Sequence, residues 1–145
     1  MSIPQNDSDL EAVIDVYLAQ WNEPDPEHRR QLIRRVWAID AVHVLVNATS
    51  DVRETAARFA IPFPPLVVQG HDGLDARVGR AYEMYVAPGQ YRFERESEPV
   101  RQAGAAVSFT WVMRDRTDGG VAGSGFDVLT FAADGRIRSD HQFVA

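Results

Sequence analysis

The hydrophobic pattern changes period once, near Tyr91, and that change limits the chain to few architectures. Before it, apolar residues recur with helical spacing. Leu10, Val13, Ile14, Tyr17, Leu18 and Trp21 form one stripe, with Ser8 and Glu11 matching a capping box at its start. The "NEPDPEHRR" segment then turns the chain. Asp25 is placed to cap a second helix with Pro26 at its first position, where a missing N–H costs nothing. Leu32, Ile33, Val36 and Trp37 give that helix its apolar face. Ala41 to Val46, "AVHVLV", reads as a short strand. Asp51 to Ala60 fits a short helix, stopped by three prolines between 62 and 65. "VVQG" is a brief strand, and Asp72 opens a third helix with Leu74, Val78, Ala81, Tyr82 and Tyr85 on one face.

From Tyr91 onward the period is two. "YRFERESEPVRQ", "AAVSFTWVMRDR", "VAGSGFDVLTFA" and "RIRSDHQFV" are four strand-like runs separated by "RQAG", "RTDGG" and "AADG". These are turn sequences, so the last three runs pair as an antiparallel meander and the first joins them through Gly104. Helices first and a meander afterwards predict an α+β domain, with helices packed on one face of a curved, mostly antiparallel sheet. The 145 residues fit a single domain, 1–145.

Several chemistries are excluded. The chain has no cysteine, which removes disulfides, thiolate metal sites and thiol nucleophiles. Its net charge is −6, against general nucleic-acid affinity. There is no basic start followed by an apolar run, and no stretch of about 18 apolar residues, so neither export nor membrane insertion is expected. The expected location is the cytoplasm, where the "NAT" acceptor pattern at Asn47 has no use. "VAGSGF" lacks a nucleophile elbow because Ala122 stands at its first glycine. Glycines 119, 120, 123 and 125 precede a strand and read as hairpin or bulge residues, not a phosphate loop. The histidines at 28, 43, 71 and 141 lack metal-ligand spacing. Arg29, Arg30, Arg34 and Arg35 read as a solvated helix face.

The residues that invite chemistry lie on apolar surfaces. Asp127 shares a strand face with Leu129 and Phe131, while Phe126, Val128 and Thr130 share the other. Both faces are largely apolar, which implies cover on both sides and a buried carboxylate; an Asp wetted at a sheet edge is the alternative. A buried carboxylate requires a partner or a raised pKa. Tyr17 lies within a core stripe, so its hydroxyl requires an internal partner. His43 is the polar residue of "AVHVLV", and His141 alternates with Ser139 and Phe143 on the last strand. Each is a candidate proton carrier or a structural histidine. Trp21, Trp37 and Trp111 are core or pocket wall.

The order of elements, with Tyr17 to Val44, Gly70 to Val78, the "G-x-D" of Gly125 and Asp127, the "DGRI" of Asp134 to Ile137 and Phe143, resembles the SnoaL-like, polyketide cyclase-like branch of the nuclear transport factor 2 fold. The resemblance covers nearly the whole chain and implies a cone-shaped α+β barrel that is commonly a homodimer. It implies a hydrophobic pocket, lined here by Trp21, Trp37, Leu45, Tyr82, Trp111, Leu129 and Phe143. Ketosteroid isomerase, a relative by fold, holds a dienolate oxygen between a tyrosine and a protonated aspartic acid. By position these match Tyr17 and Asp127. The isomerase's base falls at Leu45, which leaves His43, two residues earlier on the same strand face, as the substitute base, with His141 a further proton carrier. Two functions follow from the resemblance. One is a cofactor-independent isomerase, cyclase or dehydratase acting on a small hydrophobic carbonyl compound; the other is a non-catalytic binding or oligomerisation module of the same fold, its cone plugged or covered by segment 47–66.

Overall fold

A computed structural model describes residues 4, 6–47, 54 and 67–145. The expected helix over 51–60, the proline run after it and the lid role for segment 47–66 fall outside these residues, apart from Asn47 and Glu54, the latter helical. Among the described residues, helices α1 (Asp7–Asn22), α2 (Pro26–Val36) and α3 (Gly70–Ala81) pack against seven strands: β1 (Trp37–Leu45), β2 (Val67–Gln69), β3 (Tyr91–Arg95), β4 (Val100–Gln102), β5 (Ala106–Asp115), β6 (Val121–Phe131) and β7 (Ile137–Val144). A five-residue π-helical turn, Tyr82–Val86, extends α3. No described helix is long and apolar enough to cross a membrane.

The strands form one sheet in the order β2-β1-β7-β6-β5-β3, with β4 also paired to β5. The β1–β7 pair is parallel and the others are antiparallel. The last three runs of the sequence form the meander that their turns predict. The first run divides into β3 and β4, both against β5. The sheet does not close on itself among the described residues, so the cone is an open, curved sheet and not a sealed barrel.

Helix α1 begins earlier than the capping-box pattern indicates. Asn6 is the N-cap, its side chain accepting the Asp9 N–H at 2.7 Å, and Asn caps as well as Ser does. Asp25 and Pro26 open α2 as predicted. Trp37 leaves the helix and starts β1 with extended backbone. Arg29 departs from the solvated-face reading. It is buried, donates to the Glu23 carbonyl at 2.8 and 3.1 Å, and lies over the Tyr82 ring at 4.6 Å.

The core lies between the helices and the inner sheet face. Leu10, Ile14, Leu18, Ile33, Val36, Leu74 and Val78 meet Val107, Phe109, Leu129, Phe131 and Ile137 there. A register shift in β1 between Trp37 and Val42 resets its alternation, so that Ala41 and His43 point inward and are buried. Cover on β6 is one-sided. Asp127, Leu129 and Phe131 are fully buried, whereas Phe126 on the opposite face is 42% exposed.

Candidate functional site

Asp127 reaches its surroundings because of the residue two positions before it. Gly125 pairs with Trp111 across β5 and β6, and the Trp111 indole lies over the glycine: a Cβ built on Gly125 would fall 2.1 Å from Trp111 Cζ2. Any side chain there would displace the ring. With the ring seated, Trp111 Nε1–H donates to Asp127 Oδ1 at 2.6 Å. Gln142, directly across on β7, donates to both Asp127 oxygens at 3.3 and 3.4 Å.

From the helical side, the Tyr17 hydroxyl enters the same spot. It lies 2.8 Å from Asp127 Oδ2 and 2.6 Å from Asp140 Oδ2. A phenol has one proton and two lone pairs, so Tyr17 donates to one carboxyl group and accepts from the other. One of the two acids is therefore protonated. Burial, and then the neighbouring Asp127 charge, push the Asp140 pKa well above the ordinary carboxylate range. Burial also raises Asp127, opposed by hydrogen bonds from Asp140, Tyr17, Trp111 and Gln142. Asp140 is thus the acid that keeps the proton, and Asp127 is the carboxylate that accepts from Tyr17, Trp111 and Gln142. The Tyr17 pKa is itself raised, by burial first and then by the two acids, so the phenol stays neutral.

His43 stands beside this pair. Arg77 Nη1 lies 2.9 Å from His43 Nδ1. A guanidinium only donates, so Nδ1 is the acceptor and Nε2 carries the hydrogen. Burial, followed by the Arg77 charge, lowers the His43 pKa to about 3, with the Gln142 side chain opposing. The ring is neutral. Its Nε2 has no hydrogen-bond partner among the described residues and stands 3.6 Å from Asp140 Oδ2, beyond hydrogen-bond length. His43, Asp127 and Asp140 offer three potential metal ligands within 4.8 Å. The donor chemistry opposes that use, because Nε2 has no lone pair to give while Arg77 holds Nδ1.

A cavity of about 590 Å³ adjoins the cluster. Tyr17, Trp21, His43, Leu45, Trp111 and Gln142 line it. Asp127 and Asp140 do not; they lie behind this wall, fully buried, and touch it through Tyr17, Trp111 and Gln142. Of the pocket residues expected from the sequence, Trp21, Leu45 and Trp111 are on the wall. Trp37 and Leu129 are in the core behind it. The Tyr82 ring is instead against Arg29. Phe143 pairs with Phe126 on the outer sheet face, their ring centroids 6.3 Å apart. His141, between Asp140 and Gln142 on β7, is also on that outer face and exposed. It is separated from Asp127 by the sheet, which removes it from the cluster. His43 is in the cluster, its Nδ1 held by Arg77.

Three residues of the cluster escape sequence reading: Asp140, Gln142 and Arg77. In "IRSDHQFV" the odd positions are the more apolar and so read as inward. A register shift between Thr130 and Phe131 turns the even positions Asp140 and Gln142 inward instead. Counting pairs outward from the "AADG" turn would have revealed them only with that shift included. Arg77 is three residues from Leu74, beside the apolar stripe of α3, and no pattern separates it from a surface arginine.

Comparison with solved structures gives the same architecture. A SnoaL-like family protein of Agrobacterium tumefaciens strain C58, carrying a candidate isomerase assignment, is 26% identical with a TM-score of 0.70, over 93% of this chain and 96% of that one. The fold is that of SnoaL-like proteins. A nuclear transport factor 2-like protein of unknown function from Exiguobacterium sp. 255-15 shares this SnoaL-like architecture, at 16% identity and a TM-score of 0.62, over 92% and 98% of the two chains. A SnoaL-like polyketide cyclase candidate from Jannaschia sp. CCS1 does so at 14% identity and 0.64, over 99% and 90%. No family model and no curated protein matches the sequence.

Proposed function

We propose that this SnoaL-like chain takes a small hydrophobic carbonyl compound into the cavity and moves a proton on it, as an isomerase, cyclase or lyase does, with its own side chains and no cofactor. The supporting observation is Tyr17, a neutral phenol on the cavity wall whose hydroxyl is held between a protonated Asp140 and an ionised Asp127. In this reading the Tyr17 oxygen takes a proton from the carbon next to the carbonyl while its own proton passes to Asp127. The phenol never ionises, in keeping with its raised pKa. In this reading His43 Nε2–H, buried and without a hydrogen-bond partner among the described residues, turns from Asp140 to the oxygen that gains charge. Removing one donor aimed at developing charge in a dry site costs about 2.7–4 kcal/mol of barrier. The proton then returns from Asp127 through Tyr17 to a second carbon, which completes an isomerisation with nothing consumed. His43 serves as the electrophile, in place of the base role that its strand position suggests.

The test is deuterium uptake from D2O next to the carbonyl of 2-tetralone and 1-indanone, followed by NMR. Wild type accelerates exchange, and Tyr17→Phe and Asp127→Asn each reduce it by about 100-fold or more. Exchange that is unaffected by either substitution, or absent for both ketones, counts against catalysis. One observation favours a second reading, a binding module: no acidic side chain among the described residues lines the cavity. Ketone binding seen by calorimetry without exchange would select it. We further propose a homodimer through the outer sheet face, supported by the exposed Phe126 and Phe143.

A further inference from the structure

Asp127 and Asp140 are matched in burial and unlike in the donors that face them. Both are fully buried, and the Tyr17 hydroxyl lies within hydrogen-bond length of each. Asp127 has two further donors. Trp111 Nε1–H reaches Oδ1 at 2.6 Å, and the Gln142 amide reaches Oδ1 and Oδ2 at 3.4 and 3.3 Å. Asp140 has neither, and its Oδ1 has no hydrogen-bond partner among the described residues. Burial penalises a charge on either acid, so the donors decide where the charge rests.

Register explains why Gln142 acts on one acid and not on the other. It is paired with Asp127 across β6 and β7, whereas Asp140 is paired with Leu129. Asp140 and Gln142 are two residues apart, so both face inward from β7. The strand therefore sets an amide directly opposite Asp127 and an acid diagonal to it. Chemistry fixes the orientation of that amide. An ionised carboxylate only accepts, so Nε2 and not Oε1 is turned toward it. Trp111 is confined by its seat over Gly125, while Gln142 spans both carboxylate oxygens from the cavity wall. The titratable and charged groups around Asp127 are Tyr17 from α1, His43 from β1 and Asp140 from β7, with Arg77 from α3 beyond His43.

We infer that Gln142 is the positioning residue of the proton relay: its amide places the single proton of the acid pair on Asp140, and so aims the Tyr17 O–H at Asp127. The inference rests on the proposed proton transfer for its consequence. When the Tyr17 oxygen takes a proton from carbon, its own proton leaves along the O–H bond to Asp127. With the pair's proton on Asp127 instead, that acid donates to Tyr17, and the Tyr17 O–H points at Asp140. The relay then runs toward the acid that neither Trp111 nor Gln142 serves. A hydrogen bond to a charged group moves an ionisation by about one pH unit or more, a tenfold change in where the proton rests.

Gln142→Met keeps the length of the side chain and removes the amide. Carbon-13 NMR of the aspartate carboxyl groups, assigned with Asp127→Asn and Asp140→Asn, follows the proton as pH is varied. In wild type Asp127 ionises first and Asp140 keeps its proton. In Gln142→Met the first ionisation of the pair lies about one pH unit higher, and the Asp140 carboxyl takes a share of it. The acid limb of deuterium uptake by 2-tetralone moves up with it. An ionisation of the same midpoint, still confined to Asp127, overturns the inference. Wild type supplies the test should Gln142→Met unfold: the side-chain N–H resonances of Gln142 move with the Asp127 carboxyl at one midpoint, and resonances indifferent to that ionisation overturn the inference. Absence of deuterium uptake in wild type counts against the proposed function alone, and the carboxyl titration still decides the role of Gln142.

Discussion

The Tyr17 hydroxyl and Asp140 Oδ2 lie 2.6 Å apart although 123 positions separate them in the chain. Asp127 is on the other side of the same hydroxyl at 2.8 Å. Two acids facing one phenolic proton cannot both ionise at low cost in a dry site. The relationship therefore fixes a proton in the interior, next to a cavity. Such an arrangement is costly for folding, and its pH signature is measurable.

Asp140 retains its proton in the folded protein well above the pH at which it ionises when unfolded, near its ordinary value of 3.8. The native state therefore binds more protons above about pH 4, and stability falls as pH rises, at up to about 1.4 kcal/mol per pH unit per group. Asp127, also raised, adds with the same sign. Asp140→Asn removes one such group. Urea unfolding between pH 4 and 7 should show the variant gaining on wild type as pH rises; parallel curves would contradict a buried protonated Asp140.

His43 acts in the opposite direction. Its folded pKa of about 3 lies below the ordinary 6.5, so the unfolded state takes up a proton first as pH falls. Its contribution is intact above pH 6.5 and is lost towards pH 3, again at up to about 1.4 kcal/mol per unit. His43→Gln should flatten this acid limb. An NMR titration showing the His43 ring charged at pH 6 would refute the Arg77-fixed tautomer.

Gly125→Ala places a methyl group where the Trp111 indole lies. Trp111 sits in a strand flanked by β3 and β6 and has little room to retreat, so the substitution should destabilise by about 1–3 kcal/mol. It should also pull Nε1–H off Asp127 Oδ1. The indole N–H resonance of Trp111 reports this directly, and an unchanged shift would show that the ring contact is dispensable.

Phe126 and Phe143 are 42% and 39% exposed on one side of the sheet. If a second copy covers them, Phe126→Glu shifts sedimentation from dimer to monomer at micromolar concentration and leaves the fold intact by circular dichroism. Wild type sedimenting as a monomer at that concentration would remove the dimer proposal.

Much of the architecture is legible in the residues. The 3.6-residue stripe of α1, the Asp25–Pro26 start of α2 and the glycine-marked hairpins of the meander are local signals, and each produces the expected element. The burial of Asp127 and Tyr17 also follows from their apolar neighbours. One-sided cover of β6 does not, because a half-exposed Phe126 looks the same in sequence as a buried one.

The periodicity of the chain thus determined its class and placed Tyr17 and Asp127 in the interior, since pattern and propensity act over a few residues. Which acid holds the proton, which nitrogen of His43 carries its hydrogen, and which side of β7 faces the cavity were decided only in the tertiary structure. Those depend on a β6–β7 register shift that turns Asp140 inward, on an arginine from α3 reaching His43, and on a glycine that lets Trp111 reach Asp127. Each is a contact between distant segments at one register, and a one-residue slip would exchange Asp140 for His141.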